Sequence, residues 1–214
     1  MSFQTVVNFF VGGGYWMYPI LLVGVLGTAI ALERHVTLSK IERANRKIWD
    51  QLHPVIMLGD LDKARSIAVN DNSTVSQLLQ TSLESSVNDR RRESLALSME
   101  EEMMSIIPQL DKRIAYTALY ANMATLLGLL GTVMGLVSAF DAVANAAPSE
   151  KANLLSASIA EAMNCTSFGL MVAVPMLLIN LFLSTKARRI IDSLEIVSLT
   201  SLNAIFRHRS SNNK

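Results

Sequence analysis

The stretch Ala121-Asn-Met-Ala-Thr-Leu-Leu-Gly-Leu-Leu-Gly-Thr-Val-Met-Gly-Leu-Val-Ser-Ala-Phe140 carries no charge, yet Asn, Thr, Ser and Gly recur through it. As a helix it is long enough to cross the roughly 30 Å of hydrocarbon in a bilayer. A helix that only anchors would be built from Leu, Ile and Val, because a hydroxyl or amide in hydrocarbon costs free energy unless it finds a partner. Polar groups inside such a span point to a lined pathway. A second stretch, Ser156 to Ser184, has the same character, with Glu161 as its one acidic residue.

Composition agrees with a membrane protein. Half of the 214 residues are apolar, mean hydropathy is +0.33 and 17% are charged, where a soluble domain carries nearer a quarter. A formal net charge of +1 gives no reason to expect nucleic acid as a partner. The single cysteine, Cys165, excludes an intrachain disulfide and a cysteine-based metal site. No metal and no cofactor are expected.

A third apolar run, Tyr15 to Leu32, has Tyr15, Trp16 and Tyr18 at one end and Glu33, Arg34 and Lys40 at the other. No Lys or Arg precedes Arg34, so the run reads as a retained helix rather than a cleaved signal. Twelve Lys and Arg lie between Arg34 and Arg113, six lie from Lys186 onward and one, Lys151, lies between Phe140 and Ser156. The positive-inside rule then sets the orientation.

The expected fold class is an all-α integral membrane protein whose long helices extend into the cytoplasm. Its layout is an outside segment 1–14, a transmembrane helix 15–33, a cytoplasmic helical insert 34–117, a second transmembrane helix 118–142, an outside loop 143–156, a third transmembrane helix 157–184 and a cytoplasmic tail 185–214. The expected location is the bacterial inner membrane, multi-pass, with the N-terminus periplasmic and the C-terminus cytoplasmic.

The insert shows helical spacing in Ile41, Ile48, Leu52 and Val55, in Leu61, Ala64, Ile67 and Ala68, and in Val75, Leu78, Leu79 and Leu83. Breaks are expected at Pro54, Gly59 and Asn70 to Ser73, with Asp60 as an N-cap. Arg90, Arg91 and Arg92 followed by Glu93, Glu100, Glu101 and Glu102 read as a solvated face with internal pairs, or as a docking surface. His35, His53 and His208 lie apart in polar segments and read as solvated.

At about 100° per residue, Gly131 and Gly135 fall within about 60° of Gly128. Thr132, Thr125 and Asn122 fall between about 40° and 120° on the other side. The glycine stripe suits close helix packing. The two threonines suit either a pore lining or bonds back to their own helix carbonyls. On the third span, Ala162, Gly169 and Ala173 lie within about 60° of Thr166, and Asn180 and Ser184 rejoin that stripe, with a kink expected at Pro175. Glu161 and Asn164 share a different face, about 140° to 160° away.

Gly128-Leu-Leu-Gly-Thr-Val-Met-Gly135 followed by Phe140, and Ile159-Ala-Glu-Ala-Met-Asn-Cys-Thr166 followed by Gly169, Pro175 and Asn180, resemble the two signature helices of the MotA/TolQ/ExbB proton-channel family. Three spans with a large insert resemble its TolQ and ExbB branch. The resemblance implies a homopentamer whose second and third helices line a pore. That pore would hold the single membrane helices of ExbD/TolR-like partners. It also implies that Thr132 and Thr166 match the family's pore threonines and Glu161 its third-helix glutamate; Glu161, Asn164, Ser167, Thr125 and Asn122 read as part of the ion pathway or of assembly. Thr125 stands where a proline is common, and Asn164, Cys165 and Ser167 make the third helix more polar than is usual. Transported H+ and Na+ both remain open.

Threonine hydroxyls can orient a proton or ligate Na+, but they cannot hold a charge through a cycle. Glu161 lies off the Thr166 stripe, so the titrating group is expected on the partner, as an Asp within its membrane helix. A non-conducting scaffold is the rival reading. No phosphate-binding glycine loop, nucleophile elbow or paired intramembrane Asp suggests an enzyme. Nutrient import, envelope maintenance and motility are all compatible uses.

Overall fold

The computed structural model describes residues 12–88 and 91–212; the expectations for residues 1–11, Arg90 and the side chain of His208 fall outside what it describes. Its helices are α1 (Met17–Leu58), α2 (Leu61–Val69), α3 (Thr74–Asn88), α4 (Arg92–Asp111), α5 (Ile114–Asn145) and α6 (Lys151–Asn212), and no strand occurs among the described residues. Stretches long and apolar enough to cross a membrane lie within Met17–Leu58, Arg92–Asn145 and Lys151–Arg207. The protein is therefore an all-α, multi-pass membrane protein.

Helix ends follow local chemistry. At the end of α1, Gly59 takes φ 81°, its N–H donates to the Ile56 carbonyl, and Asp60 N–H donates to Val55. This is the Schellman pattern that a glycine in the left-handed region allows. Asp60 then caps α2, its Oδ1 accepting from Lys63 N–H at 3.1 Å. Between α2 and α3, Asp71 Oδ2 accepts from Ser73 N–H at 2.9 Å and from the Ser76 hydroxyl at 3.0 Å.

Two expectations need correction. Pro54 does not break the chain, since α1 runs through it to Leu58. The residue is exposed, so the carbonyl that loses its amide partner faces outward, where water can serve it. The connection between the second and third spans is also shorter than 143–156, because α5 continues to Asn145 and α6 begins at Lys151. Ala, Leu and Ser at 152–156 are acceptable helix formers, and a helix need not stop where its apolar run stops. α6 also runs through Pro175 as one helix, where the expectation is a kink and not a break.

The chain forms two compact units. One joins the part of α1 up to Glu33 to Arg113–Phe182, and the other joins Arg34–Lys112 to Leu183–Lys214. In the second unit, α6 buries Leu183, Ala187, Ile190, Leu194 and Val197, a 3–4 spacing typical of a coiled-coil seam. The α1 seam runs through Arg34, Leu38, Ile41, Asn45, Ile48 and Leu52, and two of its positions are polar. Arg34 Nη2 donates to the Leu110 carbonyl at 2.5 Å and to Gln109 at 3.3 Å, closing the last turn of α4. Asn45 Oδ1 accepts from the Thr74 hydroxyl at 2.8 Å and from Val75 N–H at 3.4 Å, at the first turn of α3. Polar seam residues of this kind fix register. Lys186 Nζ reaches Ser39 Oγ at 2.7 Å and Glu42 at 3.2 Å.

The acidic and basic blocks are exposed in part and engage other helices: Arg92 donates to Asn203 Oδ1 at 2.8 Å, and Glu102 accepts from Thr81 at 3.1 Å. Burial pushes the Asp71 carboxyl up. The hydrogen bonds from Ser73 and Ser76 and the charge of Lys47 outweigh that and hold it below the usual value. A depressed folded-state pKa gives stability that is present above the unfolded value and lost as pH falls through the folded one. Asp71→Asn should therefore lower the melting temperature near neutral pH. In melts recorded across pH, its gap to wild type should close below about pH 4, under the ordinary Asp pKa.

Candidate ion pathway

In the first unit α5 and α6 approach until backbone meets backbone. A Cβ on Gly128 would lie 3.3 Å from the Cα atoms of Gly169 and Thr166, and a Cβ on Gly169 would lie 2.7 Å from the Ala124 carbonyl. Further along α5, a Cβ on Gly131 would overlap Cys165 Sγ, and one on Gly135 would press on Ala162 Cβ at 3.0 Å. The glycine stripe of the second span thus packs on the small-residue stripe of the third. Ile20, Val23, Ala124, Cys165 and Ala173 form the core beside them, with Trp16 and Phe168 against it.

The Thr166 hydroxyl donates to the Gly128 carbonyl at 3.0 Å, and the Thr132 hydroxyl donates to Leu129 at 2.6 Å. These are consecutive carbonyls of α5, separated by a rise of about 1.5 Å. Thr132 and Thr166, on different helices, therefore stand at one depth, each half-buried. Each hydroxyl has its hydrogen committed to a carbonyl and keeps lone pairs to offer. Thr125 and Thr132 both donate back to carbonyls of their own helix, Thr125 to Ala121 at 3.3 Å. Ser167 does the same to Met163 at 2.9 Å, and Asn122 is exposed.

Glu161 stands apart from this pair, about 7.5 Å further along the axis by helical rise, and exposed. Its carboxylate lies over Gly14, and Asn164 on the same face donates to the Gly12 carbonyl at 3.4 Å. Both residues share a face, as the angular count expects, and that face carries the segment before α1. At the other end of the unit, Asn180 Nδ2 donates to the Ile114 carbonyl at 2.9 Å and to the Thr117 hydroxyl at 2.7 Å, while Thr117 donates to Ile114 at 2.7 Å. Arg113, with φ 64°, pairs with Glu33 at 2.8 Å. That pair is half-exposed and contributes little.

Sequence reasoning missed Thr117 and the Gly12–Gly14 turn. Three successive glycines ahead of an aromatic cluster are a visible sign of close approach, but what approaches is not written in them.

The sequence profile of the MotA/TolQ/ExbB proton channel family matches residues 70–196, a segment that holds Thr132, Glu161, Thr166 and the glycine stripe. This chain belongs to the MotA/TolQ/ExbB proton channel family. Within it the relatives are ExbB proteins. An ExbB-like protein of Synechocystis sp. is 29% identical over 174 residues, 79% of this chain and 67% of that protein. An ExbB homolog of Methanothermobacter thermautotrophicus is 27% identical over 198 residues, 91% of this chain and 68% of its own length. The biopolymer transport protein ExbB of Neisseria meningitidis serogroup A is 24% identical over 194 residues, 84% and 85% of the two chains. The chain thus sits in the ExbB-like branch of the family.

Large apolar side chains such as Leu126, Val133, Phe140, Met163, Met171 and Phe182 remain exposed. Only 22% of the apolar window is buried in each of the second and third spans. Lipid or other protein must cover the rest.

Gly169→Ala should force α5 and α6 apart and cost about 1–3 kcal/mol. Asn180→Leu, which leaves the buried Thr117 without its donor, should cost between about 0.6 and 1.7 kcal/mol. Reversible unfolding in mixed micelles measures both.

Proposed function

We propose that this chain is the wall and stator of an inner-membrane ion channel that uses the proton motive force to energise transport or mechanical work at the cell envelope. The observation that carries the reading is the pair of hydroxyls at one depth, Thr132 and Thr166, with hydrogens committed and lone pairs free, inside predominantly apolar spans. Such a wall accepts hydrogen bonds and ligates cations. It neither supplies nor stores a proton.

Something in the pathway must titrate, and the complement of two acceptor hydroxyls is a carboxyl group that donates when protonated. That group is assigned to an Asp in the single membrane helix of an ExbD/TolR-like partner, within a pore walled by the second and third helices of five copies. An ion enters from outside past Glu161 and Asn164. It neutralises the partner Asp beside Thr132 and Thr166, and leaves to the cytoplasm as the partner turns or shifts. Each charge that crosses supplies about 2.3 kcal/mol per 100 mV. Periplasmic placement of the N-terminus follows from the distribution of Lys and Arg. H+ is the preferred cargo, with Na+ ligated by the same oxygens as the alternative.

Thr166→Val keeps the shape but removes the hydroxyl, so the wall loses an acceptor while the glycine contact remains. In proteoliposomes holding the complex copurified with its partner, proton flux should fall at least tenfold with assembly unchanged. Flux equal to wild type would leave the scaffold reading in its place. Replacing Na+ by K+ in the same assay identifies the ion.

A further inference from the structure

The Glu161 carboxylate rests where the side chain of residue 14 would be. A Cβ on Gly14 would overlap Glu161 Oε1 and lie 3.0 Å from Cδ and 3.4 Å from Cγ. Gly14 has φ +73°, a left-handed backbone that L side chains adopt at a cost. Its carbonyl accepts from Met17 N–H at 3.3 Å and so leads into the first turn of α1. Two residues earlier the turn meets the same face of α6, where Asn164 Nδ2 donates to Gly12 O. The neighbouring Gly13 is equally tight, since a Cβ there would press on the Met17 side chain. The turn thus touches both polar groups that stand off the Thr166 stripe, and its lack of side chains makes the room.

We propose that Gly14 is a positioning residue for Glu161, the Gly12–Gly14 turn leaving the space the carboxylate occupies and fixing where it meets ions arriving from outside. The inference rests on the reading that Glu161 belongs to the ion pathway. A carboxylate on a helix exposed at that position samples several rotamers. Seated on a bare backbone, with Asn164 holding the turn in place, it keeps one location. A methyl group at residue 14 displaces the carboxylate rather than the helix, because the atom in its way is the free end of a flexible side chain.

The test uses the complex with its copurified partner in proteoliposomes and compares Glu161→Gln, Glu161→Asp, Gly14→Ala and the double variant Gly14→Ala/Glu161→Asp. Glu161→Gln is expected to lower flux at least tenfold. If it conducts like wild type, the underlying reading of Glu161 fails and the role of Gly14 fails with it. Gly14→Ala is expected to lower flux about fivefold, and the double variant to return to within twofold of Glu161→Asp alone. The shorter acid withdraws from the added methyl group, whereas it does nothing for backbone strain at residue 14.

Loss of flux in Glu161→Gln together with wild-type flux in Gly14→Ala overturns the proposal alone. So does a double variant as poor as Gly14→Ala. If Gly14→Ala fails to assemble, assembly becomes the readout. Glu161→Asp in the same chain should then restore it, and failure to do so overturns the proposal.

Discussion

Backbone contact between α5 and α6 is the constraint on which the membrane unit depends. At Gly169 there is no room for a single methyl group before the Ala124 carbonyl is struck. Helices held apart by Leu or Val would leave Thr166 several ångströms from the neighbouring backbone. Here the glycines bring its hydroxyl to 3.0 Å from the Gly128 carbonyl. The small residues are thus a matter of chemistry as much as of packing, because they commit the hydroxyl hydrogen and leave only lone pairs. In hydrocarbon, association without a hydrophobic driving force relies on such close contact and on hydrogen bonds between helices.

Outside the hydrocarbon a different rule applies. There the helices are held by a 3–4 seam that buries apolar side chains from water, and polar members of that seam fix its register. Arg34 closes the last turn of α4 and Asn45 meets the first turn of α3. Each satisfies backbone or hydroxyl groups that a helix end leaves unpaired, while the Asn45 Nδ2 is buried without a partner.

Much of this was legible in the residues. Angular counting placed Gly128, Gly131 and Gly135 on one stripe and Ala162, Thr166 and Gly169 on another, and these two stripes meet. It also set Glu161 and Asn164 apart from Thr166, where they are found. Pro54 misled because the effect of a proline depends on whether the carbonyl it orphans faces solvent, and sequence alone does not say which way that carbonyl points. Arg34 and Asn45 escaped notice because a search for apolar spacing passes over polar members of the same seam. Thr117 was invisible for a related reason: its role depends on Asn180, 63 residues away.

The two helices of the hairpin are joined at three levels. Only residues 146–150 separate α5 from α6 at one end, the glycine contact clamps the middle, and Asn180 binds the first turn of α5 at the other end. A hairpin fastened along its length moves as one body. In any pore assembled from several copies, a change of calibre must then come from sliding between neighbouring hairpins rather than from splaying within one. The surfaces left to slide are those dominated by exposed apolar side chains such as Leu126, Val133 and Phe140.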